Sequence, residues 1–168
     1  MADQHDADRH DADQHDADPV ELAGAPLLEQ AFSRPQITDI RHAVATRVAR
    51  AGLGGDRLDG FVLAVNEIIT NVVLHAGGAG RIRLWIDRGS AYCAVADEGP
   101  GIPDRYLAGD RLPSAFAIGG RGIWLAHQLC DSVIVRTDSS GSTVIMVSRL
   151  PGRAGCGDLA TGAAAAGG

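Results

Sequence analysis

An α+β fold is what this sequence predicts: a two-layer α/β sandwich whose mixed, mostly antiparallel sheet is covered on one face by three helices. Three observations predict it. Two pairs of short alternating or β-branched runs are joined by turn residues and read as hairpins. Three segments space their apolar residues as helices do. The order, strand, helix, helix, hairpin, loop, helix, hairpin, builds one sheet with its helices gathered on one side.

The run LLEQAFSR, Leu27 to Arg34, is expected as the opening strand. Asp39 to Ala51 places Ile40, Val44 and Val48 at helical spacing and stops at Gly52, which makes it the first helix. A longer helix is expected from Asp56 to Ala76, ended by Gly77 and Gly78. In RIRLWID, Ile82, Leu84 and Ile86 alternate with Arg81, Arg83 and Asp87, the pattern of a strand with one wet face. Arg88, Gly89 and Ser90 turn it back into AYCAVAD. From Glu98 to Gly122 the pattern dissolves into Gly, Pro, Asp and Arg, a long irregular connection of the kind that carries function. A third helix, Ile123 to Cys130, precedes SVIVRTD and STVIMVSRL, joined by Ser139, Ser140 and Gly141.

The chain has 168 residues, enough for one domain with a sizeable core. That domain is expected over residues 26–151. Residues 1–25 contain the repeat HDADR, HDADQ, HDAD, which has only alanine as an apolar residue and reads as a disordered acidic tail. Loose chelation by its His and Asp is the sharper reading and solvated tail the plainer one. Residues 152–168 are almost all Gly and Ala and are expected to be disordered too.

Formal net charge is -6, and the acidity belongs to the tail, where seven Asp face Arg9 alone. The remainder balances at 14 Arg against 14 acids, so no basic stripe suggests nucleic acid as a partner. The chain has no lysine. That excludes the P-loop, the strand lysine of the common protein kinases and Schiff-base chemistry. Cys93, Cys130 and Cys156 lack the spacing of a zinc site and are expected as reduced thiols. There is no cationic start with an apolar run behind it and no stretch of membrane-spanning length, so the expectation is a cytoplasmic protein away from membranes.

The central helix is the informative element. Phe61, Val62, Val65, Ile68, Ile69, Val72 and Val73 share one arc of a helical wheel, and Asn66, Glu67, Thr70, Asn71 and His75 share the other. Glu67 and Asn71, four apart, put an acid and an amide on one wall. A wet helix face would look the same. What raises the pair above that is Asp97, a carboxylate at a strand end followed at once by Glu98, Gly99, Pro100 and Gly101, where glycine permits close backbone approach. Later Gly119, Gly120, Arg121 and Gly122 open into a helix, whose first N–H groups and dipole suit phosphate.

Taken in order, N-E-I-I-T-N, D-E-G-P-G and G-G-R-G-I-W-L resemble the boxes of the GHKL (histidine kinase-like) ATPase superfamily, and their spacing is most similar to its short anti-sigma-factor serine kinases. The likeness covers Leu27 to about Leu150. It implies the GHKL ATP-binding fold and, as cofactors, ATP with Mg²⁺. It gives Asn71 as the Mg²⁺ ligand and Glu67 as general base toward a serine hydroxyl or water. Asp97 becomes the acceptor of the adenine amino group, Gly99 and Gly101 the passage beside the base and the lid hinge, and Gly120 and Gly122 the phosphate cradle. Thr143, in the G-S-T-V turn, corresponds to a threonine at the adenine end. Arg121 is either a stabiliser of the transferring phosphoryl charge or a solvent-facing side chain whose backbone alone serves. His75 either joins the Glu67 face or caps its helix. Trp85 and Trp124 read as packing residues.

The resemblance implies a sigma factor and an anti-anti-sigma antagonist of the STAS type as partners, with serine or threonine phosphorylation of the antagonist regulating transcription. Its members often dimerise, so a homodimer is among the expectations. Two alternatives stand beside the kinase: a non-catalytic module whose nucleotide sets affinity for the sigma factor, and a detached histidine kinase catalytic domain. The last is disfavoured because His5, His10 and His15 lie in the polar repeat, not on a helical hairpin.

Overall fold

The computed structural model describes residues 24–103 and 120–152. The tails expected at residues 1–25 and 152–168 fall, all but their innermost residues, outside the described ones, as do positions 104–119 of the irregular connection and Cys156.

β1 is Leu28–Ser33, and a short 3-10 turn, Arg34–Gln36, leads into α1, Ile37–Arg50. Gln36 folds back to take the Ser33 N–H at 2.9 Å and its hydroxyl at 2.8 Å, and with Pro35 this lets the chain enter α1 two residues before the first apolar spacing predicted it. Ile40, Val44 and Val48 are the buried positions of α1, as their spacing required. The helix ends at Arg50, Gly52 just beyond its cap takes the left-handed region at φ 108°, and Leu53 plugs the core behind it.

α2, Gly55–His75, buries Gly60, Phe61, Ala64, Val65, Ile68, Ile69 and Val72. Val62 and Val73, at the margin of the predicted arc, are half-buried. By length and composition α2 could cross a membrane, yet its apolar arc is the centre of this core. β2, Ala79–Asp87, and β3, Ser90–Asp97, form the first hairpin. Its two-residue turn has positive φ at both Arg88 (44°) and Gly89 (74°), the mirror-image turn that follows the strands' own twist.

α3, Gly120–Leu129, starts three residues earlier than expected and takes Gly120, Arg121 and Gly122 into its first turn. Weak helix propensity is overridden there by packing on α2. β4, Ser132–Asp138, and β5, Gly141–Arg149, close the second hairpin.

The sheet runs β1-β2-β3-β5-β4 and is antiparallel at every described pairing, so the mostly antiparallel expectation stands and its mixed part does not appear among the described strands. α2 and α3 pack on each other and α1 packs on α2, giving the predicted two layers. The main core lies between them, and a smaller cluster of Trp85, Ala94, Ile145 and Val147 occupies the other sheet face, with Trp85 stacked on Tyr92 at 5.2 Å between ring centroids. One end of the sandwich gathers the last turns of α2, the first turn of α3, the end of β3 and the β4–β5 turn.

Candidate functional site

At that end lies a cavity of about 260 Å³. Its walls are apolar, Ile68 and Val72 from α2, Val95 from β3, Ile123 from α3 and Val144 from β5, and the stretch Pro100 to Pro103 roofs it. Four polar side chains enter this surface: Asn71, His75, Asp97 and Ser142. An apolar slot with a few convergent polar groups is the usual form of a small-molecule site.

Asp97 reaches the cavity because β3 alternates: Val95 and Asp97 share the helix-facing side with core residue Cys93. Its Oδ1 accepts the Gly99 N–H at 2.8 Å, while its second oxygen accepts no bond among the described residues. Gly99 is required at this turn, since a Cβ there would lie 2.6 Å from the Ala76 Cβ and 2.9 Å from Asp97 Oδ1. Gly101, at φ 82°, is pressed on β4: a Cβ would stand 2.8 Å from the Asp138 carbonyl oxygen and 2.9 Å from Thr137 Oγ1.

Glu67 and Asn71 sit half-buried one turn apart, as read from the sequence. Their wall is met by Gly122 in the first turn of α3. A Cβ on Gly122 would collide with the Asn71 amide nitrogen and lie 3.4 Å from the Glu67 Cβ. Glycine therefore lets the start of α3 rest on the acid–amide wall, and the first N–H groups from Gly120 onward, unpaired within a helix, are carried beside it. Arg121, in the same turn, is exposed and outside the cavity.

Thr143 stands on the sheet face away from the cavity. The period-two alternation of β5 turns Ser142, Val144 and Met146 toward the helices, and Thr143 goes to the other face, in a groove with Arg81, Arg83 and Ala96. Ser142, opposite Asp97 in the register, is the residue of that turn that enters the cavity, where it is 5% exposed. Counting back by twos from Val144 gives this orientation. His75 does line the cavity, which the helical wheel left undecided.

Burial raises the thiol pKa of Cys93 and pushes that of Cys130 up to about 12, so neither is a nucleophile at neutral pH. No cluster of three His, Cys, Asp or Glu stands ready for a metal among the described residues.

Comparison with known proteins bears on this arrangement. The profile of the histidine kinase-like ATPase domain matches residues 32–148. An anti-sigma F factor of Geobacillus stearothermophilus is 28% identical over 117 residues, 65% of this chain and 80% of that protein, and the anti-sigma F factor of Geobacillus kaustophilus matches to the same extent. Among solved structures, the RsbU and RsbW domains of a Mycobacterium tuberculosis protein superpose with a TM-score of 0.53 at 17% identity, a likeness of fold. That match covers 75% of this chain and 33% of the other, so this chain spans about a third of that structure.

Proposed function

The chain belongs to the histidine kinase-like ATPase domain family, and from that premise we propose that it binds Mg-ATP in the cavity and acts as an anti-sigma factor with serine/threonine kinase activity toward an anti-anti-sigma antagonist. The observation that carries the reading is the contact of Gly122 with Asn71 and Glu67 beside a cavity containing Asp97. Three motifs distant in sequence meet at one site. The anti-sigma assignment draws on the two Geobacillus relatives.

The apolar slot takes the adenine ring, and the second Asp97 oxygen accepts its exocyclic amine. A guanine carbonyl at that point would set acceptor against carboxylate, a mismatch worth roughly 1–3 kcal/mol. The phosphates then run toward the first turn of α3, where Gly120 and Gly122 offer main-chain N–H groups and the positive end of the helix dipole. Asn71 and the phosphates together form a donor set of hard oxygens that fits Mg²⁺, an ion that keeps waters and phosphates as its other ligands. Bound there, Mg²⁺ would neutralise phosphate charge. Glu67 takes the proton from the hydroxyl of a partner's serine or threonine as that oxygen forms its bond to the γ-phosphorus and the bond to ADP breaks. Arg121, exposed beside the phosphate turn, is the candidate cation for the transferring charge. The sigma factor, a STAS-type antagonist and a second copy of the chain are the partners this reading implies.

The test incubates the protein with Mg-ATP and its co-purified partners and locates phosphate by mass spectrometry, with Glu67→Ala in parallel. Phosphate on a serine or threonine of a partner is expected, with the rate falling by about 10²–10⁴ in Glu67→Ala while ATP affinity is kept. Transfer that survives the substitution removes Glu67 as base. Tight ATP binding with no transfer in the wild type would leave a nucleotide-gated binding module in place of a kinase.

A further inference from the structure

The roof of the cavity is short of anchors. Between Pro100 and Pro103, which have no N–H, only Gly101 and Ile102 can donate from the main chain. The Ile102 N–H donates to Thr137 Oγ1 at 2.8 Å, across from β4, and Gly101 is seated against the same hydroxyl. Thr137 itself lies behind the wall and lines no part of the cavity.

The hydroxyl of Thr137 has one hydrogen to give. Its oxygen accepts from Ile102 and can accept a second bond, so the Ser142 contact at 3.0 Å runs in either direction, and the Gly141 carbonyl at 3.5 Å is a second acceptor for the Thr137 hydrogen. The shorter contact joins a directly opposed cross-strand pair, and the longer one is at the limit of a hydrogen bond. The 3.0 Å bond ties Ser142 to Thr137 whichever of the two hydroxyls donates, and Ser142 lines the cavity. Thr137 is thus the shared partner of the Ile102 N–H in the roof and of Ser142 in the cavity wall.

We propose that Thr137 is a positioning residue for the ligand's base: it moors the Gly101–Ile102 roof and holds the Ser142 hydroxyl in place beside the Asp97 acceptor. This rests on the reading of the cavity as an adenine nucleotide site. The Asp97 carboxylate matches the adenine amine and a hydroxyl held beside it has a hydrogen to offer the neighbouring ring nitrogen, whereas guanine sets a carbonyl against the carboxylate. Thr137 thus links how firmly the roof closes to which purine is held.

The experiment uses Thr137→Val, which keeps shape and removes the hydroxyl, with Thr137→Ser restoring it and Thr137→Ala as a second deletion should valine fail to fold. Fluorescent ATP and GTP analogues give affinity and dissociation rate, and amide exchange over residues 99–103 is followed without nucleotide. In Thr137→Val we expect the ATP analogue to leave about tenfold faster and the ATP-over-GTP preference to shrink about tenfold, the effect of one buried hydrogen bond lost. Exchange at Ile102 should rise, and Thr137→Ser should recover all three within about twofold. Unchanged exchange and wild-type discrimination in Thr137→Val would overturn the proposal. So would a serine variant as impaired as the valine one, because packing would then be the cause. A wild-type protein that binds neither analogue would overturn the adenine reading itself, while exchange at Ile102 would still decide the mooring.

Discussion

α2 and α3 pack along each other with a glycine near each end of the contact, but the two ends of the sandwich treat it differently. At the end away from the cavity Gly60 of α2 faces Leu129 of α3, where an added Cβ would find Leu129 Cδ2 at 3.5 Å, ordinary packing distance. Polar groups there are joined to one another. Arg57 pairs with Asp131 and also donates to the Arg149 carbonyl at 2.9 Å, Asp131 accepts the Arg149 N–H at 2.7 Å, and Leu150 N–H reaches the Gly89 carbonyl at 2.8 Å. At the cavity end Gly122 faces Asn71 with no room for a Cβ, and Glu67 and Asn71 stand half-buried beside it with His75 exposed a turn beyond. One end satisfies its polar groups internally and holds the layers together. The other sets an acid and an amide on the wall where Gly122 rests, beside the cavity, and the same two helices carry both ends.

The strongest way to break this contrast is Gly122→Ala. By helix propensity the change favours α3 by up to about 1 kcal/mol. Sterically it drives the Asn71 amide aside. We expect Mg-ATP affinity to fall about 100-fold, with the Mg²⁺ dependence of binding lost and the melting temperature unchanged or raised; calorimetric titration and thermal unfolding of one sample read both. Retained affinity would show that the close approach of the helices has no part in binding.

Local periodicity made the two helices before the first hairpin legible, since Ile40, Val44 and Val48 and the Phe61 to Val72 arc report burial through spacing alone. The turn at Arg88 and Gly89 was legible through its chemistry. Asp97, Glu67 and Asn71 could be placed because each sits on an element whose phase the neighbouring apolar residues fix. Thr143 was placed by likeness to a family threonine, not by the phase of β5, and that phase turns Ser142 to the cavity. The start of α3 was hidden for a different reason: glycines argue against helix until the partner surface, Asn71, is known. Nothing local announces that β5 lies between β3 and β4, or that Arg57 meets Asp131 and Arg149, because these contacts join distant parts of the chain.

A smaller effect is expected from Arg57→Ala at the closed end. Arg57 is half exposed, so screening discounts the ion pair, and a loss of about 1 kcal/mol in urea unfolding is the expectation, with ATP affinity unchanged. Acid should erase the difference. The Asp131 carboxyl is held below the ordinary carboxylate range, first by the Arg149 N–H it accepts and then by Arg57. Its contribution is full above that ordinary range and disappears as pH falls through the lowered folded value. Wild type and Arg57→Ala should therefore differ at neutral pH and converge in acid. A gap that persists in acid would assign Arg57 a packing role.

The smallest effect comes from the matched glycine. Gly60→Ala adds a methyl group at van der Waals distance from Leu129 and removes the helix cost of glycine from the middle of α2, where the backbone is already helical. A gain of about 0.5–1 kcal/mol is expected, seen as a rise of a few degrees in melting temperature. Affinity for ATP should stay within about twofold of wild type, because the contact lies away from the Glu67–Asn71 wall. Gly60→Ala and Gly122→Ala are the same chemical change near the two ends of one helix contact, so they separate the ends directly. Weakened ATP binding in Gly60→Ala would mean that α2 and α3 shift as one body and that the closed end sets the geometry of the open one.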